Sequence, residues 1–326
     1  MTSPPLIPRP YAQQHERAWE EVVERSWNGT MLHTRRFISY HGARFDDCSL
    51  VLEDDHGHVV AILPAAVDPA EPGTVSSHPG LTYGGLLHDG SVRGESLLGC
   101  MEAIAAEYRC RGFRRLRYKA VPSIYERGPS GDDIYGLFRM GARWHRCDLS
   151  AAIDLSRRGR ISGRRARSHK RAERAGLPVE VDWRNISEFW RILELNLAKR
   201  YGTTPVHTIE EINLLHERFP DEIVLVTAGR AGHLVAGGVF FLAGHVLHMQ
   251  YTAVTDEGRA VSATDLVMER GITMASERGC RYFDFGISTV DGGWGLNQDL
   301  YYFKVSFGAG GAVYNHYEVD LQPPSC

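Results

Sequence analysis

With 326 residues, 43% hydrophobic, 24% charged and 10% aromatic, the chain has the make-up of a folded globular protein with room for two domains of roughly 150 residues. Disordered, collagenous and coiled-coil chains are excluded. No run nears the roughly 18 apolar residues of a membrane helix, and the first thirty residues hold no apolar export core, so a cytoplasmic protein without a membrane partner is expected. The formal net charge of −3 argues against a uniformly basic nucleic-acid binder. The six cysteines fall at no zinc or CxxC spacing and are read as reduced thiols, and the fifteen histidines are scattered without a ligand set, so no metal is expected.

Trp19, Val22, Val23 and Trp27 recur at helical spacing and predict a helix over 13–27. β-branched runs at 49–53 and 59–67 read as strands joined by the turn Asp54-Asp55-His56-Gly57. The Gly-rich stretch 77–90, SHPGLTYGGLLHDG, has no helical period and reads as a loop flanking a short strand. Leu97, Leu98, Met101, Ile104, Ala105 and Tyr108 mark a helix over 95–111, stopped by Gly112 and followed by a strand at 113–119. A basic segment, 155–176, predicts a helix from Ser162 to Gly176; an amphipathic helix spans 187–201, and Thr208 with Glu211 forms a capping box that opens another. Strands at 222–228, 234–242 and 246–254 form a meander, then a helix over 262–278 ends at Gly279 before a strand at 281–286. Meander, helix, glycine and strand thus occur twice, with Gly112 aligned to Gly279. The expectation is an α/β chain with mixed α+β sheets, divided into domains 1–150 and 151–326.

FDFGIST at 283–289 and GLNQDLYYFKVSFG at 295–308 carry a family likeness, through Phe283, Asp284, Phe285, Gly286, Gly295, Leu296, Phe303, Lys304, Phe307 and Gly308. With the duplicated pattern, the chain resembles the Fem-like branch of the GNAT acyltransferase superfamily, which includes the peptidoglycan-bridge aminoacyltransferases and relatives that build small peptide natural products. The resemblance implies two tandem GNAT-like domains around a central cleft, with the acceptor side in the first. It implies transfer of an acyl group to an amine, drawn from aminoacyl-tRNA or an acyl-coenzyme A thioester, and a lysine, Lys304, in the active cleft. Two departures stand out. The segment 155–201 has no room for a long helical arm, and the loop at 77–90 reads HPGLTYGG where wall-precursor enzymes carry Arg-Gly-Pro. The expected acceptor is therefore a small peptide or metabolite amine other than the nucleotide-linked wall precursor.

For the donor, GNAT enzymes cradle pyrophosphate on glycine-lined amides at a helix start, but the stretch Arg259-Ala260-Val261-Ser262-Ala263-Thr264 has no glycine. By contrast, 157–174 holds nine Lys/Arg, among them Arg160, Arg164, Arg165, Arg167, Lys170 and Arg171, against Glu173 alone. A tRNA acceptor arm is the expected partner of these six residues; a solvated helix face is the plain alternative. Aminoacyl-tRNA is then a co-substrate and no separate cofactor is needed, with acyl-coenzyme A as the other donor and a non-catalytic RNA-binding protein of the same fold as a third reading.

Aminoacyl transfer asks little of a base, since an α-amino group with a pKa near 8 is about 10% neutral at pH 7. It does need an oriented ester and amine and an oxyanion donor worth about 3 kcal/mol. Lys304, set among aromatic neighbours, is the expected donor or phosphate holder, His248 the proton acceptor, and Asp284 the group that binds the substrate ammonium or stabilises a loop. Alternation over 246–254 puts His248 and Gln250 on one face and Met249 and Tyr251 on the other. Gln250, Tyr251, Ser288 and Phe303 are expected on the substrate, and Tyr83, Gly84 and Asp89 in the acceptor pocket. Ser288 and Asn297 bracket a Gly-rich loop at 291–295.

Overall fold

The computed structural model describes residues 6–321. The chain forms two compact units, Met1–Asp148 with Asp291–Trp294 and Val313–Cys326, and Leu149–Val290 with Gly295–Ala312. Cysteines 48, 100, 110, 147 and 280 are free thiols, and Cys326 lies outside the described residues. No helix among the described residues is long and apolar enough to cross a membrane.

The first unit opens with β1 (Ile7–Pro10), α1 (Glu16–Arg25) and α2 (Arg35–Ile38). The helix predicted over 13–27 begins as a tighter turn at Gln13–His15 and ends at Arg25, where Ser26 turns extended; Trp19, Val22 and Val23 form its buried stripe. The strand predicted over 59–67 is broken by Pro64 into β3 (Val59–Leu63) and β4 (Ala66–Val67), because proline has no N–H to give the ladder. One sheet runs β1, β2 (Leu50–Glu53), β3, β6 (Leu87–His88), while β5 (Thr74–Ser76) lies between β4 and β7 (Arg115–Lys119). Helix α3 (Glu95–Cys110) buries Leu97, Met101, Ile104 and Tyr108 and stops before Gly112, whose φ is +86°. Helix α4 (Asp132–Arg139) has no counterpart in the sequence reading.

Strand β8 (Arg143–Asp154) leads into the second unit, where α5 (Gly163–Arg174), β9 (Val179–Val181), α6 (Ile186–Tyr201) and α7 (Ile209–Arg218) follow. Ser162 caps α5, and the Thr208/Glu211 capping box opens α7. The meander is β10 (Ile223–Arg230), β11 (His233–Ala243) and β12 (Val246–Val254); α8 (Asp256–Ala260) and α9 (Ala263–Glu277) then carry the chain over to β13 (Tyr282–Ile287), parallel to β12. The strands lie in the order β8-β13-β12-β11-β10-β9. Leu247, Met249, Phe240, Phe283 and Phe307 form a core with Val267, Met268 and Ile272 of α9. A small hairpin, β14 (Thr289–Val290) and β15 (Gly295–Leu296), precedes α10 (Gln298–Val305) and the last strand, β16 (Gly310–Asp320).

β16 pairs with β7 from His316↔Lys119 to Asp320↔Arg115. Those ladder hydrogen bonds draw residues from 313 onward into the first unit, so the units are not the contiguous halves 1–150 and 151–326.

Candidate active site

Strands β12 and β13 pair through Val246↔Tyr282, Leu247↔Phe283 and His248↔Asp284, and there the parallel ladder ends. Because Leu247, Met249 and Phe283 point into the α9 core, His248 and Asp284 point to the other face. On that last rung His248 Nδ1 lies 2.9 Å from Asp284 Oδ2; a carboxylate only accepts, so Nδ1 carries the proton. The other carboxylate oxygen accepts from Ser150 Oγ of β8 at 2.5 Å and from Gly286 N at 3.1 Å. Asp284 is fully buried and the His248 side chain is 14% exposed, so the histidine is the outer member of a held pair.

Gly286 is glycine for two reasons. Its φ is +75°, and a Cβ there would stand 3.3 Å from His248 Cε1. The loop that follows is fastened by Lys304, whose Nζ donates to the carbonyls of Gly286 and Ile287, each at 2.7 Å. Lys304 is 3% exposed, and burial lowers its pKa to about 8, with Asp284 acting the other way. The structure thus assigns its ammonium to two backbone carbonyls beside the dyad, where it fixes the strand end.

A β-bulge overturns the expected alternation of β12. Tyr251 pairs with Val239 and Met249 with Phe240, leaving Gln250 without an opposite residue. Tyr251 therefore shares the face of His248, stacks edge-on to Trp190 of α6, and its hydroxyl sits 2.6 Å from His207 Nδ1. It is a buried anchor for the α6–α7 connection, while Gln250 is half-buried at the bulge. Ser288 is buried; its N–H donates to Leu149 O, and its hydroxyl has no hydrogen-bond partner.

Residues 156–298 match the sequence model of the GNAT acetyltransferase domain. Among solved structures the chain is similar to FemX (TM-score 0.67, 12% identity, 96% of this chain and 97% of that one). It is also similar to L-PGS from Bacillus licheniformis (0.59, 11%, 92% and 90%) and to a tandem GNAT protein of the clavulanic acid biosynthesis pathway (0.52, 14%, 98% and 100%). Curated protein sequences gave no match. The chain has the Fem-like GNAT fold.

In this GNAT-like fold the Phe-Lys and Phe-Gly motif is a packing device as well as a lysine carrier. Phe307 is in the core, and Gly308, at φ +90°, lets the backbone close on Gly159, whose N–H donates to its carbonyl. Phe303 and Phe307 lie under the guanidinium of Arg165, 4.4 and 4.3 Å from the ring centroids, so Phe303 supports α5.

Arg165 is the one exception among the six cations expected on RNA. It is 5% exposed and bonds Asp265 at 2.5 Å and Ser306 Oγ at 3.0 Å, so it is a core residue withdrawn from any phosphate. Arg160, Arg164, Arg167, Lys170 and Arg171 are exposed.

The stretch 259–264 is no amide cradle. Residues 256–260 are wound into α8, the Ser262 N–H closes on Arg259 O, and Ser262 itself has φ +63°. Asp265 stands in the first turn of α9, buried and paired with Arg165.

In the first unit, Tyr83 and Gly84 prove to be core. Tyr83 is 2% exposed, with its ring against His33, Tyr125 and Tyr314; Gly84 N donates to Lys119 O, and a Cβ there would be 2.1 Å from Ser77 O. Asp89 caps its own turn through Ser91 N and Oγ. These three residues serve the loop's structure rather than an open pocket.

A cavity of about 820 Å³ in the second unit lies at the far end of β12, lined by Ile192, Leu195, Lys199, His233 and Arg259, and includes none of the expected site residues. Among the described residues no group of His, Cys, Asp or Glu is arranged to hold a metal. Sequence reasoning missed Ser150, His207 and the role of Gly286; only the Gly following Asp-Phe gave any signal.

Proposed function

We propose that the chain forms an amide by moving an aminoacyl group from aminoacyl-tRNA to the amine of a small peptide or metabolite. The observation that carries this reading is the placement of α10. Through Lys304 it holds the strand end that follows Asp284, and through Ser306, just past its end, it holds the first turn of the cationic α5, whose Ser162 N–H donates to Ser306 O. The helix that fastens the strand end beside the dyad is thus the one that anchors the start of the cationic α5, which supports reading the two as parts of one site. The resemblance to the Fem-like branch and the loss of the amide cradle support the same donor.

In the step proposed, the acceptor nitrogen attacks the ester carbonyl, the C–N bond forms, and the C–O bond to the tRNA ribose breaks. His248 takes the proton shed by the nitrogen, and Asp284 holds the ring with Nδ1 protonated so that Nε2 can accept it; the proton then passes to the leaving ribose oxygen. Incubating the protein with a pool of charged tRNAs and candidate amines, and reading products by mass, tests this. Product from tRNA, lost in His248→Ala, is the expected result. The match to the GNAT acetyltransferase domain favours a second reading, an acyl-coenzyme A donor, and product from acetyl-coenzyme A with none from tRNA would decide for it.

A further inference from the structure

Tyr302 is an exposed aromatic ring with no core role: it is 63% exposed, while its helix neighbours Phe303 and Lys304 are half-buried and buried. One turn on, Ser306 N–H donates to Tyr302 O, and Ser306 is the residue that receives Ser162 N–H and Arg165 Nε from α5. Tyr302 therefore stands on the face of α10 that leads to the start of the cationic helix, on the same short helix whose Lys304 fastens the carbonyls beyond Asp284. Asp299, exposed one turn earlier, repels phosphate, so a base and not the backbone suits this end of the helix.

We propose that Tyr302 is a stacking platform for an unpaired base at the 3′ end of the RNA whose phosphates lie on Arg164, Arg167 and Lys170. Aromatic rings beside a cationic track are the general means of holding unpaired nucleotides, since every base has a π-face. The inference rests on the aminoacyl-tRNA reading above.

The test measures binding of the full chain to an acceptor-stem RNA hairpin with its unpaired 3′ tail and to the same hairpin cut blunt. The native protein prefers the tailed form. Tyr302→Ala weakens that complex by about 5- to 100-fold and leaves the blunt one unchanged, Tyr302→Phe restores it, and both variants melt with the native protein. Equal binding of the tailed hairpin by native and Tyr302→Ala overturns the platform alone. A native protein that binds neither hairpin but acylates an amine from a thioester overturns the tRNA reading and the platform together.

Discussion

Asp284 and His248 are bonded across the final rung of β12 and β13, at the point where the two parallel strands stop pairing. Ser150 and the Gly286 amide hold the carboxylate's other oxygen, so Asp284 cannot follow a moving ring and instead fixes its tautomer. His248→Ala is expected to slow single-turnover transfer by about 10²- to 10⁴-fold. Asp284→Asn should approach that loss, because an amide allows the ring to reverse its tautomer. Transfer by either variant at the native rate would remove the dyad from the mechanism.

Gly286→Ala puts a Cβ against His248 Cε1 at a left-handed φ. The backbone cost is about 1–2 kcal/mol, and the imidazole must shift as well. Loss of rate beyond the loss of stability, measured by urea melts beside kinetics, is the expected pattern.

Removing Lys304 leaves the carbonyl of Gly286 buried without its donor, at about 1–3 kcal/mol, while that of the exposed Ile287 can turn to water. Lys304→Met should lower both the urea midpoint and the transfer rate. Its pH signature is separate. Burial lowers the folded pKa to about 8 from the ordinary 10.5, so between those values the unfolded chain holds more protons and stability gains from this group as pH rises. The gain should vanish in Lys304→Met.

Arg165 and its neighbours on α5 should part company on mutation. Arg165→Ala strands Asp265, whose pKa burial already raises, and breaking such a buried pair costs about 3–5 kcal/mol. Arg164→Ala, Arg167→Ala and Lys170→Ala together should leave stability within about 0.5 kcal/mol and lower the salt dependence of RNA binding. A triple variant with native RNA affinity and salt slope would make the face merely solvated.

Three histidines of the first unit should make it acid-sensitive. Burial lowers the pKa of His33 to about 4 and of His78 and His316 to about 3, with the carbonyl of Gly84 opposing the shift at His33. Between those values and 6.5 the unfolded rings bind protons that the folded ones do not, so stability falls as pH drops through this window, by about 1.4 kcal/mol per pH unit for each ring. His33→Gln should flatten the fall by roughly a third, read from urea midpoints at pH 6.5 and 5.

Local chemistry was enough to place α3, α5, α6, α7, α9 and the β10–β12 meander, since their apolar periods, caps and stop glycines act within a few residues. The family resemblance, rather than local chemistry, marked Asp284, Gly286 and Lys304 as one neighbourhood. What local chemistry could not supply was partnership. β8 and β16 carry no strong strand period, and their place depends on ladders to β13 and β7 far along the chain. Long stretches of chain likewise separate His248 from Asp284, Arg165 from Asp265, and Tyr251 from His207. A one-residue bulge turned Tyr251 to the other face, and burial sets Arg165, expected on tRNA, Tyr83, expected in the acceptor pocket, and Lys304, expected as an oxyanion donor or phosphate holder, into hydrogen-bonded or packed positions that support the fold. The sequence alone therefore determined which segments curl or extend and where the unusual polar residues fall. Tertiary structure decided which of those residues meet water and which meet one another, because burial and long-range hydrogen bonding are properties of the assembled sheet and not of any segment within it.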